Sequence, residues 1–225
     1  WPVSVSENRH VLEGFLGSPP GATGVVLFAH GSGSGRSSPR NRYVAHQLQQ
    51  GGIATLLMDL LTELEAEDRC NVFDIDLLAD RVLMAGRWLS QEASTKTLPL
   101  GYFGASTGAG AALQAAARVP SSIRAIVSRG GRPDLAEPYL PQVKAPTLLI
   151  GGERDEAVVE LNRAAAGRLA CRKRMVIIPG ATHLFEEPGT LELVAHEALE
   201  WFQQAFASAA HGVQGLQGER TGSQG

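Results

Sequence analysis

Apolar and polar positions fall into blocks along this chain, and the blocks change period in a regular way. Val25-Val-Leu-Phe-Ala29 is an unbroken apolar run bounded by glycines, the pattern of a short strand buried on both faces. The same reading gives strands at 53–58, 98–103, 123–127, 146–150 and 173–178. Between them the period lengthens. Ile75, Leu78, Val82, Ala85 and Leu89 recur every three or four residues, which predicts a helix over 73–91 with one face on a core. Leu191, Val194, Ala198, Trp201 and Phe202 do the same for a last helix over 191–207. Further helices are expected at 41–50, ended by Gly51-Gly52, after Gly104, and at 156–170. Residues 1–16 carry no helical stripe and suit one or two edge strands, the better at 10–16. The acidic stretch 60–72 reads as a surface loop, and the proline-rich 133–143 as a connection with one helical turn at most.

Strands alternating with helices at least five times predict an α/β fold: a mostly parallel central sheet with helices on both faces, and no large lid. A length of 225 residues with 44% hydrophobic content suits one domain, here 1–208. From Ala209 on, Gly, Gln and Ser dominate, so 209–225 is expected to be a disordered tail. A net charge of -3 gives no electrostatic reason for nucleic acid or an anionic membrane as partner. The first residues lack the basic stretch and apolar core of a secretory leader, and a cytoplasmic protein is expected. Cys70 and Cys171 stand far apart, so neither a disulfide framework nor a zinc site is indicated.

Ligands of open parallel sheets bind beyond the carboxyl ends of the strands, so the residues just past each predicted strand carry the chemistry. They are His30-Gly31-Ser32, Asp59, Ser106, Arg129, Asp155 and His183. Ser106 lies in Gly104-Ala-Ser-Thr-Gly108, a G-x-S-x-G pattern set between a strand and a small-residue helix. Such a sharp turn lifts a serine hydroxyl off the sheet. A serine hydroxyl scarcely ionises at neutral pH; His183 can take its proton and Asp155 can hold the imidazole in the right tautomer. The chain order Ser…Asp…His fits this arrangement. A tetrahedral intermediate would draw on the backbone N–H of Thr107 and a second from Gly31 or Ser32. Other readings stay open at this point. Ser106 is equally at home as a turn residue, Asp155 as a helix N-cap, and His30 as an organiser of its own loop. Asp59, Glu153 and Glu156 are rival acids.

Four stretches, Leu27-Phe-Ala-His-Gly-Ser-Gly33, Gly101-Tyr-Phe-Gly-Ala-Ser-Thr-Gly-Ala-Gly110, Leu148-Leu-Ile-Gly-Gly-Glu-Arg-Asp155 and Pro179-Gly-Ala-Thr-His-Leu-Phe185, resemble the dienelactone hydrolase-like branch of the α/β-hydrolases. The resemblance implies that fold and a catalytic set of Ser106, Asp155 and His183. Dienelactone hydrolases proper carry a cysteine nucleophile; Ser106 at that place favours general ester hydrolysis. The chain is also similar to domains found beside phosphoribosyltransferases.

The expected activity is thus serine esterase chemistry on a small molecule, with no metal or organic cofactor implied. Arg36, Arg40 and Arg42 lie in or after the loop following the first buried strand, and Arg129 and Arg132 follow another. Arg36 and Arg129 are candidates to bind an anionic substrate group; the opposing expectation is pairing with nearby acids such as Asp134 and Glu137. Two other classes are weighed. A non-catalytic binding module would have no need for all three residues. A dehydrogenase reading rests on the glycine spacing Gly104, Gly108, Gly110, but no Tyr-x-x-x-Lys accompanies it.

Overall fold

The structure is a computed structural model that describes residues 1–7 and 10–218, with side chains through Ser208. Eight strands form one sheet: β1 (Pro2–Glu7), β2 (His10–Gly17), β3 (Val25–Ala29), β4 (Ala54–Met58), β5 (Leu100–Ala105), β6 (Ile123–Arg129), β7 (Thr147–Gly152) and β8 (Lys173–Ile178). Their order is β1-β2-β4-β3-β5-β6-β7-β8. β1 and β2 pair antiparallel, as do β2 and β4, and every pair from β4 onward is parallel. The parallel strands are the unbroken apolar runs, because helices cover both their faces. Of the one or two edge strands expected for 1–16, β1 forms the edge of the sheet and β2 lies inside it, between β1 and β4.

The long helices are α1 (Pro39–Gln50), α4 (Ile75–Leu89), α5 (Thr107–Arg118), α6 (Glu156–Arg168) and α7 (Thr190–Gly218). One core cluster joins Leu78, Val82 and Ala85 of α4 to Ala112 and Leu113 of α5 and Leu27, Leu56 and Tyr102 of the sheet. The other joins Val44 and Leu48 of α1 to Val194, Trp201 and Phe202 of α7 across Phe28, Phe103 and Val127. α5 can lie close against the sheet because its buried positions are mostly Gly or Ala.

Most boundaries shift by a residue or two, and three regions differ more from the sequence reading. The 60–72 stretch holds two short helices, α2 (Glu63–Glu67) and α3 (Arg69–Phe73). They form without an apolar stripe because caps satisfy their free N–H groups: Thr62 and Glu65 make a capping box, and Asp68 and Asp74 cap α3 and α4. β5 starts two residues late and ends at Ala105, immediately before Ser106. α7 runs past 207 to Gly218, since extending a nucleated helix adds a backbone bond for each residue fixed; the remainder of the expected tail, 219–225, lies outside the described residues. The proline-rich connection is a kinked 3₁₀ stretch, Pro133–Gln142. Among the described residues no helix is long and apolar enough to cross a membrane.

Candidate active site

Ser106 sits between the end of β5 and the start of α5 with φ 50° and ψ −122°. A non-glycine residue at positive φ costs on the order of 1–3 kcal/mol, so its surroundings must hold it there. Its N–H donates to the Arg129 carbonyl at 3.3 Å, and its carbonyl accepts from the Ala109 and Arg132 N–H groups at 3.0 and 3.1 Å. The glycines on either side are required by close approach. A Cβ on Gly104 would stand 2.4 Å from Ala109 Cα, and one on Gly108 2.2 Å from the Ala29 carbonyl oxygen. These glycines pack against the protein's own backbone. The Ser106 side chain makes no cap bond to α5.

The loop after β3 lies against this turn. A Cβ on Gly31 would come within 3.0 Å of Ser106 Cβ. His30 fixes that loop from behind. Its Nε2 accepts from the Leu60 N–H at 2.9 Å, so Nδ1 carries the proton and donates to the Gly31 carbonyl at 2.9 Å. Burial lowers its pKa, partly offset by the Gly31 bond and the Asp59 charge; the ring is an organiser of the loop. The Ser32 N–H donates to Thr107 Oγ1 at 3.0 Å, a tie between the loop and the residue after Ser106 that the sequence reading missed. A cleft of about 280 Å³ opens here, lined by Gly31, Ser32 and Thr107 on its polar side and Leu61, Val72 and Leu78 on its apolar side. The 60–73 segment therefore shapes the cleft, whereas the 3₁₀ stretch packs on α5 and α6.

Asp155 stands at the N-cap position of α6, yet its carboxylate makes no cap bond. It accepts instead from His183 Nδ1 at 2.6 Å. That bond leaves the other ring nitrogen free to act as a base. His183 is placed by the loop after β8, where Phe185, buried and at φ 56°, anchors the turn, and Glu187 accepts from the Thr182 N–H at 3.1 Å. This bond holds the Glu187 carboxyl below the usual carboxylate range. The end of β6 touches both parts of the site. Arg129 bonds the Ser106 N–H, while a Cβ on Gly130 would lie 3.5 Å from His183 Cε1. No hydrogen bond joins the Ser106 hydroxyl to His183 among the described residues; such bonds are often long in the free state and tighten with substrate.

Two of the three rival acids, Asp59 and Glu153, are engaged elsewhere. Asp59 accepts from the Arg36 N–H at 2.6 Å and pairs with its guanidinium, and Glu153 accepts from the Gly180 N–H at 2.7 Å. The same bonds account for the arginines. Arg36 is bound to Asp59, Arg40 pairs with Glu186, and Arg132 pairs with Asp134. Arg129 is buried over Phe185 and donates to Asn41 Oδ1 at 3.2 Å. Burial, with the nearby Arg40 charge, lowers its pKa to about 10, so it stays charged at neutral pH. The one hydrogen-bond partner of its guanidinium among the described residues is on α1, so Arg129 joins β6 to α1 beneath the His183 loop. The pairing of Arg36 could not be read from sequence because it depends on the course of the 32–38 loop.

No protein-family model matches the chain. Two curated relatives, putative phosphoribosyl transferases of Mycobacterium tuberculosis strains CDC 1551 / Oshkosh and ATCC 25618 / H37Rv, are each 58% identical over 191 residues, 85% of this chain and 43% of theirs. The chain thus spans less than half the length of these relatives. The crystal structure of a dienelactone hydrolase from Anabaena variabilis is 58% identical, covers 91% of this chain and 97% of its own, and superposes with a TM-score of 0.88. Est1E from Butyrivibrio proteoclasticus shares the fold at 18% identity, with a TM-score of 0.79 over 92% of this chain and 99% of its own.

Proposed function

The chain belongs to the dienelactone hydrolase-like branch of the α/β-hydrolases, and on that premise we propose that it is a serine hydrolase that cleaves small-molecule esters through an acyl-enzyme. The observation that carries this reading is the 2.6 Å bond from His183 to a carboxylate that sits at a helix N-cap without capping it. A structural Asp at that position would satisfy the free N–H groups of α6; this one is spent on the imidazole.

The proposed cycle uses Ser106, His183 and Asp155. Ser106 Oγ attacks the ester carbonyl while its proton passes to His183 Nε2. Asp155 holds Nδ1–H and stabilises the imidazolium. The carbonyl oxygen becomes an oxyanion facing the Thr107 N–H and the glycine loop. Ser32 N–H can serve as the second donor by exchanging Thr107 Oγ1 for the oxyanion, and Gly31 N–H is the alternative donor. Collapse expels the alcohol, which takes its proton from His183. Water, deprotonated by the same ring, then attacks the acyl group and releases the acid, and Ser106 recovers its proton.

An anionic substrate finds little support, because Arg36 is paired and Arg129 is buried against α1. The phosphoribosyl transferase name belongs to proteins more than twice the matched length, and we assign that activity to the part of them outside this match. Reaction with a fluorophosphonate probe tests the proposal. The parent should be labelled covalently and Ser106→Ala should not. An unlabelled parent at neutral pH returns the chain to the binding-module reading.

A further inference from the structure

A large cavity lies far from Ser106, at the amino ends of β3, β5 and β6. It has a volume of about 660 Å³, within the range of small-molecule sites. Its apolar lining includes Leu83, Leu98, Leu100, Val119 and Phe206, and threonine and serine side chains make up much of the rest. Leu98 and Leu100 are only half-buried and face this space. Gly86 of α4 also lines the cavity, and a Cβ there would stand 3.2 Å from the Tyr102 hydroxyl.

Two features set this cavity apart from a packing defect. The first is Tyr102. It is 1% exposed, yet its hydroxyl makes no hydrogen bond among the described residues, although it borders the cavity. The hydroxyl is open to the cavity, so water partners it in the free protein and a ligand oxygen can take that water's place. The second is charge. Arg87, Lys96 and Arg124 line the cavity and no Asp or Glu does. Arg87 is held by Glu7 through two bonds of 2.6 and 2.5 Å, but Lys96 and Arg124 are exposed and have no acidic partner among the described residues. The sign continues next door. Arg124 also lines an adjoining recess with Lys144 and Arg172, again with no Asp or Glu. A chain of net charge -3 thus gathers five cations at one end of its sheet.

We propose that this cavity is a second binding site, for an amphiphilic carboxylate of the fatty-acid type. The aliphatic tail lies over Leu83, Leu100 and Phe206. The carboxylate is taken by Lys96 and Arg124, with the Tyr102 hydroxyl as a further donor. A guanidinium and an ammonium at the rim of an apolar space give charge-assisted bonds where water is partly excluded. The site is independent of the chemistry at Ser106 and stands whether or not that serine is a nucleophile.

The test is titration of the full chain with dodecanoate below its micelle concentration, followed by calorimetry. Saturable binding of one molecule per chain is expected, unchanged in Ser106→Ala. The double variant Lys96→Glu, Arg124→Glu should weaken it at least about tenfold, and Tyr102→Phe about threefold. Both variants should keep the parent's far-UV circular dichroism spectrum and a thermal melt within a few degrees, which shows that they are folded. Absence of saturable binding overturns the proposal. So does equal affinity for dodecyltrimethylammonium, or binding that survives the double charge reversal. Competition by an inhibitor bound at Ser106 would move the dodecanoate to the catalytic cleft and equally overturn it.

Discussion

Asp155→Asn separates catalysis from stability more sharply than any other change at the site. The substitution keeps size and shape, and asparagine caps helices about as well as aspartate. Because the carboxylate makes no cap bond to α6, nothing in the helix ladder is lost. What the helix loses is a negative charge at its amino end, a stabilisation of about 0.3–1 kcal/mol. For a chain of this size that is at most about 4 °C in Tm. The cost to the imidazole is of another order. An amide facing His183 Nδ1 can donate, which stabilises the tautomer with the proton on the wrong nitrogen, and the imidazolium loses its counter-charge at 2.6 Å. We expect kcat on p-nitrophenyl acetate to fall by about 10³- to 10⁴-fold, equivalent to about 4–5.5 kcal/mol of barrier. Steady-state kinetics beside a thermal melt measure both numbers on one preparation. A variant within tenfold of the parent in kcat refutes the assignment of Asp155. A loss of activity matched by a Tm drop of 10 °C or more refutes the claim that its carboxylate acts on the ring alone.

Other outcomes follow from the same contacts. Gly108→Ala drives a methyl group to 2.2 Å from the Ala29 carbonyl oxygen and should destabilise by about 2–4 kcal/mol in denaturant titration. Gly167→Ala, with open space around it in α6, should be neutral or stabilising by up to about 1 kcal/mol. Val72→Trp narrows the cleft from its apolar side; kcat/KM for p-nitrophenyl butyrate should fall at least about tenfold while the acetate ester stays within threefold. His30 has a folded pKa below its usual 6.5, so the unfolded chain takes up a proton that the folded chain refuses. Stability should therefore fall as the pH drops below about 6.5 and level off below the folded value. His30→Asn should flatten that part of the profile, whatever its effect at pH 8; an unchanged slope would show that His30 is not the group responsible.

The architecture was legible because buried parallel strands are written as uninterrupted apolar runs, and Val25–Ala29 and Lys173–Ile178 match the observed strands residue for residue. The short helices α2 and α3 were less so. Their signal is Thr62-x-x-Glu65 with Asp68 and Asp74, a set of caps without any stripe, which a periodicity argument passes over. At the site, the positions of Ser106, Asp155 and His183 were readable from the strand ends, but the choice between capping and catalytic geometry for Asp155 was not. That choice depends on where a loop 28 residues later brings its imidazole. The arginines fail for the same reason: Arg36 meets Asp59 across 23 residues of sequence, and Arg129 turns to Asn41 on α1 across 88. Long-range polar partners are fixed by loop conformation, and no local pattern encodes it.

The order in which β5, β7 and β8 carry Ser106, Asp155 and His183 has a consequence for synthesis of the chain. A ribosome releases the strained serine turn first, with the Arg129 carbonyl that holds it following soon after. Asp155 emerges next and His183 later still, just ahead of α7, whose Val194 and Phe202 share a core cluster with Phe185. A nascent chain therefore carries Ser106 for several seconds, at roughly 5–20 residues per second, before its proposed base has been made. On the proposed assignment, fluorophosphonate labelling requires the loop after β8 to bring His183 to Ser106, so its recovery during refolding would time the docking of that loop.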